Sequence, residues 1–185
     1  MASHGRRPAI RKILCALDGS EHAEKALALA ADLAAKYRAE LILLHGLSDG
    51  RLSAAERALA RTEFRDEVLR AARGTEPGRS GEVAEAAIDR VLDDSERFGH
   101  RLREHLARGL LQRGEHEARA RGVDEVATIM HSGEPASTIL DHARHRGVDT
   151  VVLGSRGLGG VQGLVMGSVA QKLMHEAPCT VVAVR

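Results

Sequence analysis

The chain has 185 residues, enough for one domain with a substantial buried core, and a formal net charge of +1. That balance excludes the strongly basic face of a nucleic-acid or membrane-surface binder. Three scattered aromatics, Tyr37, Phe64 and Phe98, leave no stacking platform for single-stranded nucleic acid. No apolar run approaches the roughly 20 residues of a membrane span, and the opening MASHGRRPAI has no apolar signal-peptide core. A cytoplasmic protein without nucleic-acid or membrane partners is expected.

Residues 1–9 are polar and read as a disordered tail. An apolar run from about Ile10 to Leu17 reads as the first strand and ends in Asp18. Asp18-Gly19-Ser20-Glu21 then turns into a helix over Glu21 to Tyr37, with Ala23, Ala26, Leu27, Ala30, Leu33 and Ala34 at helical spacing. Asp18 and Glu21 have the form of a capping box. For Asp18 that structural role competes evenly with a ligand role. The second strand, Glu40 to Leu47, is nearly all apolar, as a strand buried on both faces should be. His45 near its end reads as a satisfied structural histidine rather than a catalyst.

Ser53-Ala54-Ala55-Glu56 is a capping box opening a helix to about Arg73, and residues 74–81 form a loop by composition. From Val83 through Ala87, Val91, Phe98, Leu102 and Leu106 to Leu110, apolar residues keep near-helical spacing up to Gly122. An unbroken helix of about 40 residues would be about 60 Å long, beyond the span of a small domain. A break at Phe98-Gly99 is therefore expected, with about 51–97 forming a helical insertion after the second strand.

The third strand is expected over Glu125 to Met130 and its following helix over Pro135 to His145. His142 and His145 on that helix could formally share a metal, but no third ligand has matching spacing. A solvated face, and no metal site, is expected. Thr150 to Leu153 reads as the fourth strand, Ser168 to His175 as the last helix, and Thr180 to Val184 as the fifth strand. Strands alternating with helices imply a parallel sheet with helices on both faces.

Between the fourth strand and the last helix lies Leu153 to Val169, LGSRGLGGVQGLVMGSV. Strand, glycine-rich loop and helix N-terminus form a site suited to anions, because unpaired N–H groups and the positive end of the helix dipole face the ligand. No Gly-Lys-Ser/Thr follows the glycines, so this is not a Walker A loop. Nor is it a dinucleotide fingerprint, which belongs to the first strand-to-helix turn.

The spacing Gly154-x2-Gly157-x9-Gly167-Ser168 resembles the nucleotide-binding signature of the universal stress protein family, in its ATP-binding branch. Asp18 at the end of the first strand, the Leu-Leu-His ending of the second, Ser132-Gly133-Glu134-Pro135, Gly147-Val148-Asp149 and Ala177-Pro178-Cys179 fall in the family's order. The resemblance covers about residues 10–50 and 82–185 of one domain, 1–185. It implies a doubly wound five-stranded parallel sheet of order 3-2-1-4-5, and a site at the carboxyl ends of the first and fourth strands. In that order Cys15 and Cys179 stand two strand spacings apart, about 10 Å, too far for a disulfide. Both read as small buried hydrophobes.

The resemblance further implies ATP as ligand. Asp18 would contact the adenosine, Gly46 would stand beside the adenine, and Gly154, Gly157, Gly167, Ser168 and Val169 would line the phosphates. Gly46 replaces the branched residue usual there, which loosens the adenine pocket. Mg2+ would ride on the triphosphate. A homodimer through the edge strand Thr180 to Val184 is expected, since its backbone groups are otherwise unpaired. No general base stands near the glycine loop, so a regulatory stress-response protein is favoured over a dedicated hydrolase. The alternatives are a slow ATPase of the same fold and an interaction module with a vestigial site.

Overall fold

The structure, a computed structural model, describes residues 10–47, 57, 61, 65, 66, 92, 96–157 and 166–185. The tail 1–9, most of the helix expected from Ser53, the loop 74–81, most of the expected insertion and the middle of the glycine loop, 158–165, lie outside the described residues. Among the described residues nine elements alternate: β1 (Lys12–Ala16), α1 (Glu21–Tyr37), β2 (Glu40–Leu47), α2 (Glu96–Ala120), β3 (Val126–Ser132), α3 (Pro135–Arg146), β4 (Thr150–Gly154), α4 (Ser168–Glu176) and β5 (Thr180–Val184). The strands form one sheet of order β3-β2-β1-β4-β5, and every pairing is parallel. This is the doubly wound topology expected.

Alternation along each strand divides the core into two layers. Ile13, Cys15, Leu41 and Leu43 face α1 and α2, meeting Ala26, Ala30, Ala34, Leu111 and Ala118. Leu14, Ile42, Leu44 and Val151 face α3 and α4, meeting Ile139, Leu140, Ala143 and Leu173. The small alanines of α1 let that helix lie close to the sheet. The chain divides into two compact units, Met1–Ser48 with Ala107–Arg185 and Asp49–Leu106. The sheet belongs to the first. In the second, Leu92 and Leu102 are buried and His100 lies 3.3 Å from Glu104.

Several local expectations are corrected. α2 passes unbroken through Phe98-Gly99. One glycine inside a helix costs only about 1 kcal/mol, which neighbouring turns absorb. β1 is shorter than its apolar run, although the Leu17 N–H still donates to the Leu44 carbonyl at 2.8 Å. β3 reaches Ser132 because its register with β2 continues to Leu47. Cys15 is buried, whereas Cys179, lying before β5, is only half-buried; both are free thiols. Among the described residues no helix is long and apolar enough to cross a membrane.

The start of α3 shows how a sequence turn becomes a packed junction. Pro135 fits the first helical position, where no N–H is needed. Glu134 is the N-cap: its carboxylate accepts from the N–H groups of Ala136 (3.0 Å) and Ser137 (2.9 Å) and from the Ser137 hydroxyl (2.7 Å). Lys172 of α4 donates to the same carboxylate at 3.0 Å, joining the two helices. The bonds from Ser137 and then Lys172 pull the Glu134 carboxyl down to about 2. A carboxyl lowered in the folded state stabilises it above the unfolded value of about 4.3, and that contribution disappears as pH falls toward the folded value. Glu134→Ala should lower stability by about 1 kcal/mol at neutral pH. In urea titrations the gap from wild type should close between about pH 4 and pH 2; a gap independent of pH would contradict this account.

Candidate functional site

β1 ends beside β4 at the point where the strand order reverses, and the chain leaves the sheet through Asp18. Gly19, at φ 82°, occupies backbone space that side chains disfavour, so the turn into α1 needs it. Asp18 Oδ1 accepts from the Ser20 N–H at 3.0 Å and lies 2.6 Å from the Ser20 hydroxyl. Ser20, not Asp18, is the N-cap of α1: its Oγ accepts from the Ala23 N–H at 3.2 Å. The expected capping box is thereby corrected. Asp18 instead braces the cap from two residues further out, in an Asx-type turn.

Its other oxygen, Oδ2, points across to the glycine loop and occupies the place where a Cβ on Gly157 would stand. Any Cβ there would require that carboxylate to shift. The Ser20 hydroxyl lies 3.3 Å from the Arg156 carbonyl, a second tie between turn and loop. Two residues expected from distant parts of the sequence, Asp18 and Gly157, are thus brought into contact.

Gly154 has a different reason to be glycine. A Cβ there would come within 2.9–3.0 Å of His22 Cβ, His22 C and Ala23 N, in the first turn of α1. Its bareness serves close packing of helix on strand. The next residue, Ser155, is 2% exposed. Its N–H donates to the Val184 carbonyl at 2.7 Å, and its hydroxyl lies 3.2 Å from His22 Nδ1.

Gly167 is the N-cap of α4 and, with no side chain, makes no cap hydrogen bond of its own. Its N–H donates to the Ser155 carbonyl at 2.8 Å, closing the loop's far end against its near end. The first turn of a helix offers N–H groups without intrahelical partners. Here those belong to Ser168, Val169 and Ala170, since the first helical bond runs from Gln171 to Gly167. Ser168 is exposed and adds a hydroxyl; Val169 is half-buried. Uncapped donors at the positive end of a helix dipole suit an anion.

The end of β2 forms the third side. His45 Nδ1 lies 2.7 Å from the Leu17 carbonyl, so that ring nitrogen carries the donated proton and ties β2 to the exit of β1. This is the structural histidine expected. A Cβ on Gly46 would make ordinary van der Waals contact with Pro135 at 4.0 Å, so a side chain could be accommodated at that position. Among the described residues no group of three or more histidine, cysteine, aspartate or glutamate side chains is arranged to hold a metal ion.

The profile of the universal stress protein family matches residues 9–185. Universal stress protein YxiE of Bacillus subtilis is 30% identical over 177 residues, covering 94% of this chain and 98% of the relative. This chain belongs to the universal stress protein family. Among solved structures, universal stress protein UspA from Lactobacillus plantarum superposes with a TM-score of 0.64 at 22% identity, covering 97% of this chain and 100% of that one. Two further structures of this fold are complexes. One is a universal stress protein with cAMP (TM-score 0.60, 17% identity, 96% and 98% covered). The other is the universal stress protein from Archaeoglobus fulgidus with dAMP (TM-score 0.56, 19% identity, 96% and 100% covered).

Sequence reasoning missed Ser20, His22 and Ser155. Ser20 carried a usable signal, a good N-cap residue one place before Glu21. The pairing of His22 with Ser155 joins positions far apart in the chain and has no local signature. The glycines are separable by experiment. Gly154→Ala forces a Cβ against backbone and should cost roughly 1–3 kcal/mol. At Gly167 a Cβ would meet only the Ser155 carbonyl at 3.5 Å and Arg156 Cα at 3.7 Å. Gly167→Ala should therefore stay within about 0.5 kcal/mol of wild type in chemical denaturation. Equal losses at both positions would contradict the distinction.

Proposed function

We propose that this universal stress protein binds ATP at the carboxyl ends of β1 and β4 and acts as a nucleotide-dependent regulatory protein of the cytoplasm. The observation that carries the reading is the meeting of Asp18 and Gly157 beside the uncapped start of α4. A carboxylate suited to sugar hydroxyls and a set of N–H donors without intrahelical partners, suited to phosphates, stand on one rim of the sheet. The adenine nucleotides cAMP and dAMP held by two proteins of this fold support the ligand class.

In this reading Asp18 accepts from the ribose, and adenine rests beside the bare backbone of Gly46. The phosphates lie along Gly154 and Gly157 toward the Gly167-Ser168 end of the loop. Because the Gly167 N–H serves Ser155, the donors offered to phosphate are those of Ser168, Val169 and Ala170. Mg2+ would be carried by the triphosphate, neutralising part of its charge.

Because only the folded state assembles these groups, ATP at a hundredfold excess over its dissociation constant should add about 2.7 kcal/mol of stability. Thermal melts with ATP, ADP and AMP measure this. Gly167→Val, which places a branched side chain at the phosphate end, should abolish the gain and leave the ligand-free melt nearly unchanged. If wild type shows no shift with any of the three, the reading fails.

We also propose a homodimer through β5. That strand pairs only with β4 among the described residues, and its Val181, Val182 and Val184 are half-buried without a second strand beside them. The Thr180 N–H and the Val184 carbonyl both face β4, so alternation turns the Ala183 N–H to the outer edge, and Ala183→Pro, which removes that donor, should yield folded monomers. Sedimentation at micromolar concentration decides it; a folded variant that remains dimeric moves the interface elsewhere.

A further inference from the structure

On the far side of the sheet from α1, the end of β3 and the outer stripe of α3 enclose an open cavity of about 460 Å3. That volume lies in the range of small-molecule sites. His131 comes from β3, while Thr138, Asp141, His142, His145 and Arg146 recur along one side of α3 at helical spacing. The lining is unusual in its charge. One guanidinium and one carboxylate balance at neutral pH, and Asp141 also faces Arg144 at 3.7 Å. Three imidazoles can then add up to three positive charges as pH falls.

The imidazoles hold fixed positions. The rings of His131 and His142 meet edge to face, 5.3 Å apart at 88°. His131 Nδ1 lies 3.4 Å from the Thr138 hydroxyl, itself buried. His145 Nδ1 lies 2.8 Å from the Asp141 carbonyl, so its Nε2 becomes a donor only on protonation. We propose that this cavity is a second ligand site, binding a small tetrahedral oxyanion, free or as the phosphoryl head of a small molecule, with uptake of protons by its histidines.

The electrostatics point the same way. Burial first, then the charges of His131 and Arg146, hold the His142 imidazole below its ordinary value; His145 adds to the lowering, and Asp141 opposes it. Cationic groups that converge on one ring and penalise its charge are the arrangement an anion relieves. A histidine lowered in the folded state is stabilising above its unfolded value, and that contribution fades as pH falls. An anion in the cavity should reverse this trend. Metal is disfavoured as the occupant, since no three ligand side chains among the described residues converge.

The test follows imidazole NMR signals of the full-length labelled protein between about pH 5 and pH 8, in sodium sulfate and in sodium chloride of equal ionic strength. Sulfate keeps a fixed charge over this range, so any change in titration belongs to the protein. The midpoint of His142 should rise by about one unit in sulfate, and sulfate should bind roughly tenfold more tightly at about pH 5.5 than at about pH 7.5. Arg146→Gln should remove most of both effects with its circular dichroism intact, and Gly167→Val should retain them. The last result separates this cavity from the nucleotide reading. Inorganic phosphate and glycerol phosphate compared at one pH distinguish a free anion from a phosphoryl-bearing molecule. Identical midpoints in sulfate and chloride for the wild type would overturn the proposal, whatever the variants do.

Discussion

β1 is hydrogen-bonded to β2 on one side and to β4 on the other, and the second pairing, Ile13 with Thr150 through Ala16 with Leu153, joins opposite ends of the chain. Because the strands on its two sides run outward in opposite orders, a crevice opens at their carboxyl ends. Asp18 and Gly157 are neighbours only through this pairing. The start of the pairing is held as well: Asp149, just before β4, accepts from the N–H groups of Arg11 and Lys12 at 2.8 and 2.9 Å. Closing so long a loop is slow and entropically costly. The two buried layers that the pairing completes offset that cost.

The approach of α1 to β4 sharpens the crevice. Alanines on the buried side of α1 and the absence of a side chain at Gly154 let the helix's first turn touch the strand backbone. Its N-terminus is capped internally by Ser20, so that dipole end is already satisfied. α4, whose N-cap is Gly167, has no such side chain. Two helix starts thus meet one rim with opposite states. The difference leaves α4 as the end with donors to offer, and α1 as the frame that holds Asp18 in place.

Histidine shows how far environment outweighs residue type here. His45 locks the ends of two strands through a backbone carbonyl. His22 reaches the hydroxyl of buried Ser155. His131, His142 and His145 gather around a solvent-open cavity with an arginine. Only the last group combines space, convergent charge and access, which is what ligand binding requires. His142 and His145 were legible as neighbours on one side of a helix, yet they read as plain solvated surface. Nothing in α3 alone says that the end of β3 stands opposite.

What the sequence by itself determined is the alternation of apolar runs, the turns at Gly19 and Pro135, and the strand–loop–helix order around Gly154 to Ser168. These rest on local rules: the period of apolar residues, backbone freedom at glycine, and the missing N–H of proline. The strand order was legible only through resemblance. Tertiary structure alone decided that α2 runs through Phe98-Gly99, that Cys179 stays half-exposed, and that Gly154 is bare for packing while Gly157 is bare for a carboxylate. It also decided that Ser155 meets His22 and that His131 meets His142. Each of those outcomes depends on atoms distant in the chain, and spacing along one segment carries no information about what the fold places against it.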